Sequence, residues 1–123
     1  MEITRIVPYL ESENFDATKE FYCGLLGLTV AMEDPDDGDF LGLRSPTNRS
    51  AQIVAAKPGA EDPVPRFGID VGDAETVTAA HAEALRRGLE VVYPLTDEPW
   101  GIRRFFIKDP GGAVVSVLAH IGD

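Results

Sequence analysis

The chain has 123 residues, of which 44% are hydrophobic and 26% charged, values typical of a globular domain rather than of a disordered segment. Asp and Glu number 21 against 11 Lys and Arg, so the formal net charge is −10. That charge disfavours nucleic acids and anionic membranes as partners and favours a cationic ligand, although the same excess also serves solubility alone.

No segment approaches the roughly 20 apolar residues of a membrane span. The start Met1-Glu2-Ile3 lacks the basic and apolar regions of a secretion signal. The single cysteine, Cys23, cannot form an internal disulfide and is expected to be half-buried in a helix. We therefore expect a cytoplasmic protein.

The first half of the chain predicts the order β-α-β-β-β. A β-branched stretch from Ile3 to Leu10 predicts a strand, and helical spacing of apolar residues predicts a helix that begins at Asn14 or Asp16 and ends at Gly27. Three short strands follow, at residues 28–33, 40–43 and 51–56. Turn-forming residues separate them at 34–38 and 45–48.

The second half repeats this order after a stiff, proline-rich linker at residues 57–65. Asp73 is the predicted N-cap of a helix that Gly88 ends, and its expected apolar positions are Val77, Ala80, Ala84 and Leu85. The predicted strands cover residues 66–71, 89–95, 103–108 and 114–119. A hairpin turn at Asp109–Gly112 joins the last two.

The two halves align as tandem modules. Arg66 follows Arg5 at the same distance along the chain as Gly88 follows Gly27, which is typical of an internal repeat. We predict one α+β domain with module one at residues 1–56, the linker at 57–65 and module two at 66–123.

Short motifs stand in order along nearly the whole chain. They are Phe21-Tyr22-x-x-Leu25-Leu26-Gly27-Leu28, Val71-Gly72-Asp73 with Arg87-Gly88-Leu89-Glu90-Val91, Pro99-Trp100-Gly101, and Phe106-x-x-Asp109-Pro110-x-Gly112. Together they resemble the glyoxalase/bleomycin resistance/extradiol dioxygenase group, the vicinal oxygen chelate superfamily. The resemblance implies that the β-α-β-β-β modules form a curled eight-stranded mixed sheet, or cup, commonly closed by a dimer partner.

The resemblance also implies where metal-dependent members hold their metal. The matching positions, on the first and last strands of each module, are Arg5, Arg66, Gln52 and Ser116. Arginine does not coordinate metals and serine is a poor ligand. The chain therefore resembles the metal-free, bleomycin-resistance-like branch, and we predict no metal, no cofactor and no catalytic residue.

Strand alternation predicts the lining of the cup. Phe67, Ile69 and Val71 are expected beneath the helix, which leaves Arg66 and Asp70 on the cup side. The same alternation places Arg5 and Tyr9 of the first strand, and Ser116 and Leu118 of the last strand, on the cup side. Trp100 in the loop and Gln52, one of the positions matching a metal ligand, complete the predicted substrate-binding set. This set is Trp100, Arg66, Asp70, Arg5, Tyr9, Gln52, Ser116 and Leu118.

Several members of this set have two interpretations. Arg5 and Arg66 either clamp an anionic group or point into water at the starts of their strands. Asp70 either pairs with Arg66 or receives a cationic ligand. Trp100 either stacks on a planar ligand at the rim of the cup or fills a dimer interface. Open edge strands and an apolar rim predict a homodimer.

Three classes of function follow. The first is a metal-free protein that binds a small, planar or cationic molecule, for example to sequester an antibiotic. The second is a lyase, isomerase, dioxygenase or thiol transferase with an atypical site. The third is a module that acts through dimerisation or docking. The missing metal ligands favour the first class, although the fold alone does not distinguish the three.

Overall fold

The computed structural model describes residues 1–33 and 38–122. The strands are β1 (Arg5–Glu11), β2 (Thr29–Glu33), β3 (Phe40–Arg44), β4 (Gln52–Ala56), β5 (Phe67–Asp70), β6 (Val91–Asp97), β7 (Ile102–Lys108) and β8 (Val114–His120). The helices are α1 (Phe15–Lys19), which continues as a π-helix at Glu20–Leu25, and α2 (Ala74–Arg86). The turn predicted at residues 34–38 lies, apart from Gly38, outside the described residues. None of the described helices has the length and apolar character needed to cross a membrane.

The strands follow the order β2-β3-β4-β1-β5-β8-β7-β6 and include parallel and antiparallel pairs. This confirms the predicted α+β class with a mixed eight-stranded sheet. Two compact units share it. The C-terminal unit comprises Met1–Ile6 and the chain from Pro63 onward, and the N-terminal unit comprises Val7–Asp62. Within each unit the last strand of the β-α-β-β-β sequence pairs with an antiparallel neighbour, β3 or β7.

In the N-terminal unit the helical segment packs on one face of the strands. Asn14 begins α1 by accepting a hydrogen bond from the amide of Ala17 (2.9 Å). Gly27 ends the segment with a φ of 84°, the left-handed conformation that glycine adopts without strain. The buried centre of this unit is Leu41, Leu43 and Ala55, surrounded by Leu10, Phe15, Tyr22, Cys23, Leu28 and Ile53. Cys23 is half-buried, as predicted.

In the C-terminal unit α2 covers one face of its strands. Asp73 accepts a hydrogen bond from the amide of Thr76 (2.8 Å), and this bond holds the pKa of Asp73 below its usual value. The buried cluster beneath α2 is Val71, Val77, Ala84, Phe105 and Ala119. Leu85, one of the expected apolar positions of this helix, is 57% exposed. Each helical residue advances by about 100°, which turns Leu85 away from the stripe that contains Ala84.

Candidate functional site

The candidate site lies on the face of the C-terminal unit that is opposite α2. Phe105, Val117 and Ile69 contact the helix-side cluster, so their sequence neighbours point to the other face. In-register pairing there forms one row of Asp70, Leu118 and Arg104, and a second row of Gly68, Ser116 and Phe106. The predicted alternation on β5 and β8 is therefore confirmed.

A buried ion pair dominates this face. Arg104 is 4% exposed and Glu98 is 9% exposed. The guanidinium donates to the Glu98 carboxylate from Nε (2.7 Å), and its Nη2 lies 2.6 Å from the same oxygen, Oε2. The hydroxyl of Tyr93 also donates to this carboxylate, at 3.0 and 3.2 Å from its two oxygens. Such charge-assisted bonds are among the stronger hydrogen bonds in proteins, so the three side chains hold one another in place.

Three aromatic rings surround the Arg104 guanidinium. Its central carbon lies 5.2 Å from the ring centroid of Tyr93, 5.3 Å from that of Trp100 and 4.9 Å from that of Phe106. All three distances are within the roughly 6 Å limit of a cation–π interaction. Trp100 occupies the tight turn between β6 and β7, in which the amide of Gly101 donates to the carbonyl of Glu98 (3.0 Å). Trp100 remains 53% exposed.

A second ion pair lies at the start of β1. The Nε of Arg5 donates to Oδ2 of Asp70 (2.9 Å), and the amide of Gly72 donates to Oδ1 of the same carboxylate (3.0 Å). The predicted salt-bridge role of Asp70 is therefore confirmed, but its partner is Arg5 and not Arg66. Arg66 is exposed just before β5, which matches the alternative that it points into water.

Ser116 occupies the centre of the second row and is completely buried. Its hydroxyl oxygen has no hydrogen-bond partner among the described residues. A buried polar group in that state costs about 1–3 kcal/mol. Gly68 lies beside it on β5 and leaves no side chain on that flank, and Phe106 lies on the other side.

The predicted set is thus only partly brought together within one unit. Arg5, Asp70, Ser116, Leu118 and Trp100 belong to the C-terminal unit. Tyr9 and Gln52 belong to the N-terminal unit. Tyr9 is half-buried in β1 opposite Val54, and the side-chain amide of Gln52 donates to the carbonyl of Arg49 (2.8 Å).

Sequence reasoning missed Tyr93, Glu98 and Arg104. A usable signal was present, because the predicted hairpin turn at Asp109–Gly112 fixes the register of β7 against β8. That register places Arg104 opposite Leu118, on the same face as the predicted lining.

The residues at the four positions that the sequence resemblance assigns to metal ligands do not fit a metal ion. Arg5 and Arg66 carry guanidinium groups, which only donate hydrogen bonds, and Ser116 offers a neutral hydroxyl. Gln52 is the one position with an amide oxygen suited to coordination. Within residues 1–33 and 38–122, no three His, Cys, Asp or Glu side chains come together in a way that could hold a metal ion.

Comparison with known proteins supplies the family context. The family described as Glyoxalase/Bleomycin resistance protein/Dioxygenase superfamily matches residues 8–117. A search of curated protein sequences finds no significant match.

Similar solved structures share the fold at low sequence identity. Methylmalonyl-CoA epimerase from Mycobacterium tuberculosis is 22% identical with a TM-score of 0.72, over 96% of this chain and 89% of that one. A superfamily member from Vibrio splendidus 12B01 is 16% identical with a TM-score of 0.68, over 94% and 97%. An extradiol ring-cleaving dioxygenase from B. fuscum is 23% identical with a TM-score of 0.71, over 97% of this chain but 33% of the longer dioxygenase.

Proposed function

This chain belongs to the glyoxalase/bleomycin resistance protein/dioxygenase superfamily, and we propose that it binds a small planar molecule without a metal ion and sequesters it. Proteins of this fold include an epimerase and a dioxygenase, so the fold does not select an activity. The proposal therefore depends on the side chains of the candidate site.

One observation carries the metal-free part of the proposal. The first-strand position that would supply a metal ligand holds Arg5, and its guanidinium is engaged with Asp70 at 2.9 Å. Asp70 is only 5% exposed, so moving Arg5 away would leave a buried carboxylate without its charge partner, which is strongly unfavourable. A divalent cation beside Arg5 would also meet a permanent positive charge.

Trp100 supports the proposal that the ligand is planar. Ligand sites in proteins commonly combine an aromatic or apolar surface with a few placed polar groups. Trp100 supplies a large, half-exposed ring in a short turn, and the Arg104 guanidinium lies 5.3 Å from its ring centroid. An antibiotic with a planar ring system is one ligand that this surface suits.

The buried carboxylates on this face, Asp70 and Glu98, do not support the enzymatic alternatives, and Asp70 already accepts hydrogen bonds from Arg5 and from the amide of Gly72. A general base needs a carboxylate that can reach and accept a substrate proton. The Glu98 carboxylate already accepts hydrogen bonds from Arg104 and Tyr93. We therefore favour binding over turnover, with a lyase, isomerase, dioxygenase or thiol transferase as the competing class.

A chelation experiment tests the metal-free part. Purified protein is dialysed with and without a strong chelator, and planar antibiotics that do not themselves bind metal ions are titrated while the fluorescence of Trp100 is followed. Trp100 is the only tryptophan in the sequence, so the signal reports this turn alone. We expect the same affinity in both samples. Loss of binding on chelation that a divalent metal restores, or chemical conversion of the ligand at a catalytic rate, would contradict the proposal.

Trp100→Ala tests the stacking surface, with Trp100→Phe as the matched control that keeps a ring. Aromatic stacking contributes about 0.5–1.5 kcal/mol beyond area burial. Because 1.4 kcal/mol corresponds to about tenfold in affinity, we expect Trp100→Ala to weaken binding by up to about tenfold in calorimetry. Trp100→Phe should recover most of that loss. Equal affinity of the wild type and Trp100→Ala would show that the ligand lies elsewhere.

A homodimer is part of the proposal, and light scattering on the same variants tests it. Edge strand β2 is exposed along its whole length and presents the apolar side chains of Val30 and Met32. Pairing between copies would remove this edge from water. If Trp100 fills the dimer interface instead of binding ligand, Trp100→Ala should lower the measured mass. A monomer at micromolar concentrations would contradict the homodimer.

A further inference from the structure

The aromatic cage around Arg104 resembles a binding site for an organic cation that the chain itself occupies. Rings that bind guanidinium or quaternary ammonium groups present their π faces within about 6 Å of the charge. The rings of Tyr93, Trp100 and Phe106 do this for the Arg104 guanidinium. The carboxylate of Glu98 completes the cage with the opposite charge.

The internal cation is held firmly. Arg104 is 4% exposed, donates to Glu98 and carries a guanidinium group, which keeps its positive charge in proteins. An external cation would have to displace a tethered group that is already hydrogen-bonded to the one carboxylate of the cage. The cage is therefore closed to cationic ligands, despite the net charge of −10 on the whole chain.

Trp100 connects this internal cation to the proposed ligand. It is the half-exposed ring of the three, whereas Phe106 is completely buried. Because the Arg104 guanidinium already interacts with the π electrons of the indole, a cation stacked on the exposed part of Trp100 would share one ring with a like charge. A neutral or anionic planar ligand would not meet this repulsion.

We propose that Arg104 is the residue that sets the charge preference of the site, so that Trp100 accepts neutral or anionic planar molecules and disfavours planar cations. This inference rests on the proposed function, because it takes the ligand to stack on Trp100. It also refines that function, since the net acidity of the chain alone favours a cation.

Three ring-matched probes test the inference: quinoline, a quinoline carboxylate and N-methylquinolinium. They are titrated at neutral pH and at high salt, which screens the overall charge of the protein. Binding is measured by calorimetry and by the indole N–H resonance, which is single because the sequence has one tryptophan. We expect N-methylquinolinium to bind about tenfold more weakly than quinoline, a difference of about 1.4 kcal/mol.

The double variant Glu98→Gln/Arg104→Met removes both buried charges and should reduce the tenfold preference to less than about twofold, which is under 0.5 kcal/mol. The matched control, Glu83→Gln/Arg86→Met, makes the same substitutions in a surface ion pair on α2 and should leave the preference unchanged. Equal or tighter binding of the cation by the wild-type protein would overturn the inference, and this result needs no variant to fold.

A folded Glu98→Gln/Arg104→Met variant that keeps the wild-type preference would also overturn it. Absence of any shift of the indole resonance with all three probes would instead refute the proposed function, and the inference with it. The two failures are therefore distinguishable, because the first occurs with probes that bind.

Discussion

Two ion pairs of the C-terminal unit are formed by residues that are adjacent in the sequence, but one pair is exposed to water and the other is buried. Arg103 and Arg104 are consecutive on β7, and their partners Asp97 and Glu98 are consecutive at the end of β6. The shortest nitrogen–oxygen distance is 2.6 Å in both pairs. The side chains of Arg103 and Asp97 are 26% and 56% exposed, whereas those of Arg104 and Glu98 are 5% and 7% exposed.

The alternation of a β-strand produces this difference. Arg103 points to the helix side, where it also donates to the hydroxyl of Thr78 on α2 (3.0 Å), and Arg104 points to the opposite face among three aromatic rings. Residue types and chain spacing are alike in the two pairs, so burial decides what each contributes. A solvated pair gains little because water competes for both charges. A buried pair gains little net stability when formed, but losing one partner is costly.

Arg104→Met should lower the stability of the protein most, and it tests the buried ion pair. It leaves the Glu98 carboxylate buried without its charge partner, and such changes cost about 3–5 kcal/mol. Denaturant unfolding should show this loss as a lower midpoint with an unchanged slope. The double variant Glu98→Gln/Arg104→Met should recover most of it, because it leaves no unpaired charge. Equal stability of the single and double variants would refute this account.

Arg5→Met should have an intermediate effect, because this pair is only partly shielded. The side chain of Arg5 is 23% exposed and that of Asp70 is 7% exposed. Asp70 would keep its hydrogen bond from the Gly72 amide, so we expect a loss of about 1–3 kcal/mol, the usual cost of one unsatisfied buried group. Adding Asp70→Asn to this variant should restore part of the stability. If Arg5→Met lowered the stability as much as Arg104→Met does, solvent exposure would not determine how much the loss of each arginine costs.

The elements of this fold could be predicted from the sequence because local chemistry determines them. Asn14 and Asp73 cap their helices through their own side chains, and Gly27 and Gly88 end them with positive φ values. Alternation within a strand likewise predicted the face of Ser116. The π-helix at Glu20–Leu25 was not predicted, because its sequence has the same apolar spacing as an α-helix.

The partners in the site could not be predicted from single strands. Asp70 was assigned to Arg66 because residues an even number of positions apart on a strand share a face, but these two are four residues apart, about 13 Å along an extended strand. Residues on adjacent strands approach to about 4.5–5.5 Å, so a neighbouring strand supplies the closer partner. Here that neighbour is β1, which provides Arg5. Glu98 and Arg104 were missed for a similar reason, because they pair across the turn between β6 and β7 and not along one strand.

Asp97→Asn should have the smallest effect, and its dependence on pH tests the exposed end of the comparison. The hydrogen bond from Arg103 holds the pKa of Asp97 below its ordinary value of 3.8. A carboxylate whose pKa is lowered by folding stabilises the protein at pH values above its ordinary pKa. This contribution is lost as the pH falls through the folded-state pKa. At neutral pH and low salt, Asp97→Asn should therefore melt slightly below the wild type. The difference should shrink in high salt, which screens exposed charges, and vanish in strong acid, where the wild-type carboxyl is protonated too. A difference that persists in acid would show that Asp97 acts through packing or neutral hydrogen bonding instead of charge. In that case the contrast with the buried Glu98 would have to be explained by geometry rather than by exposure to water.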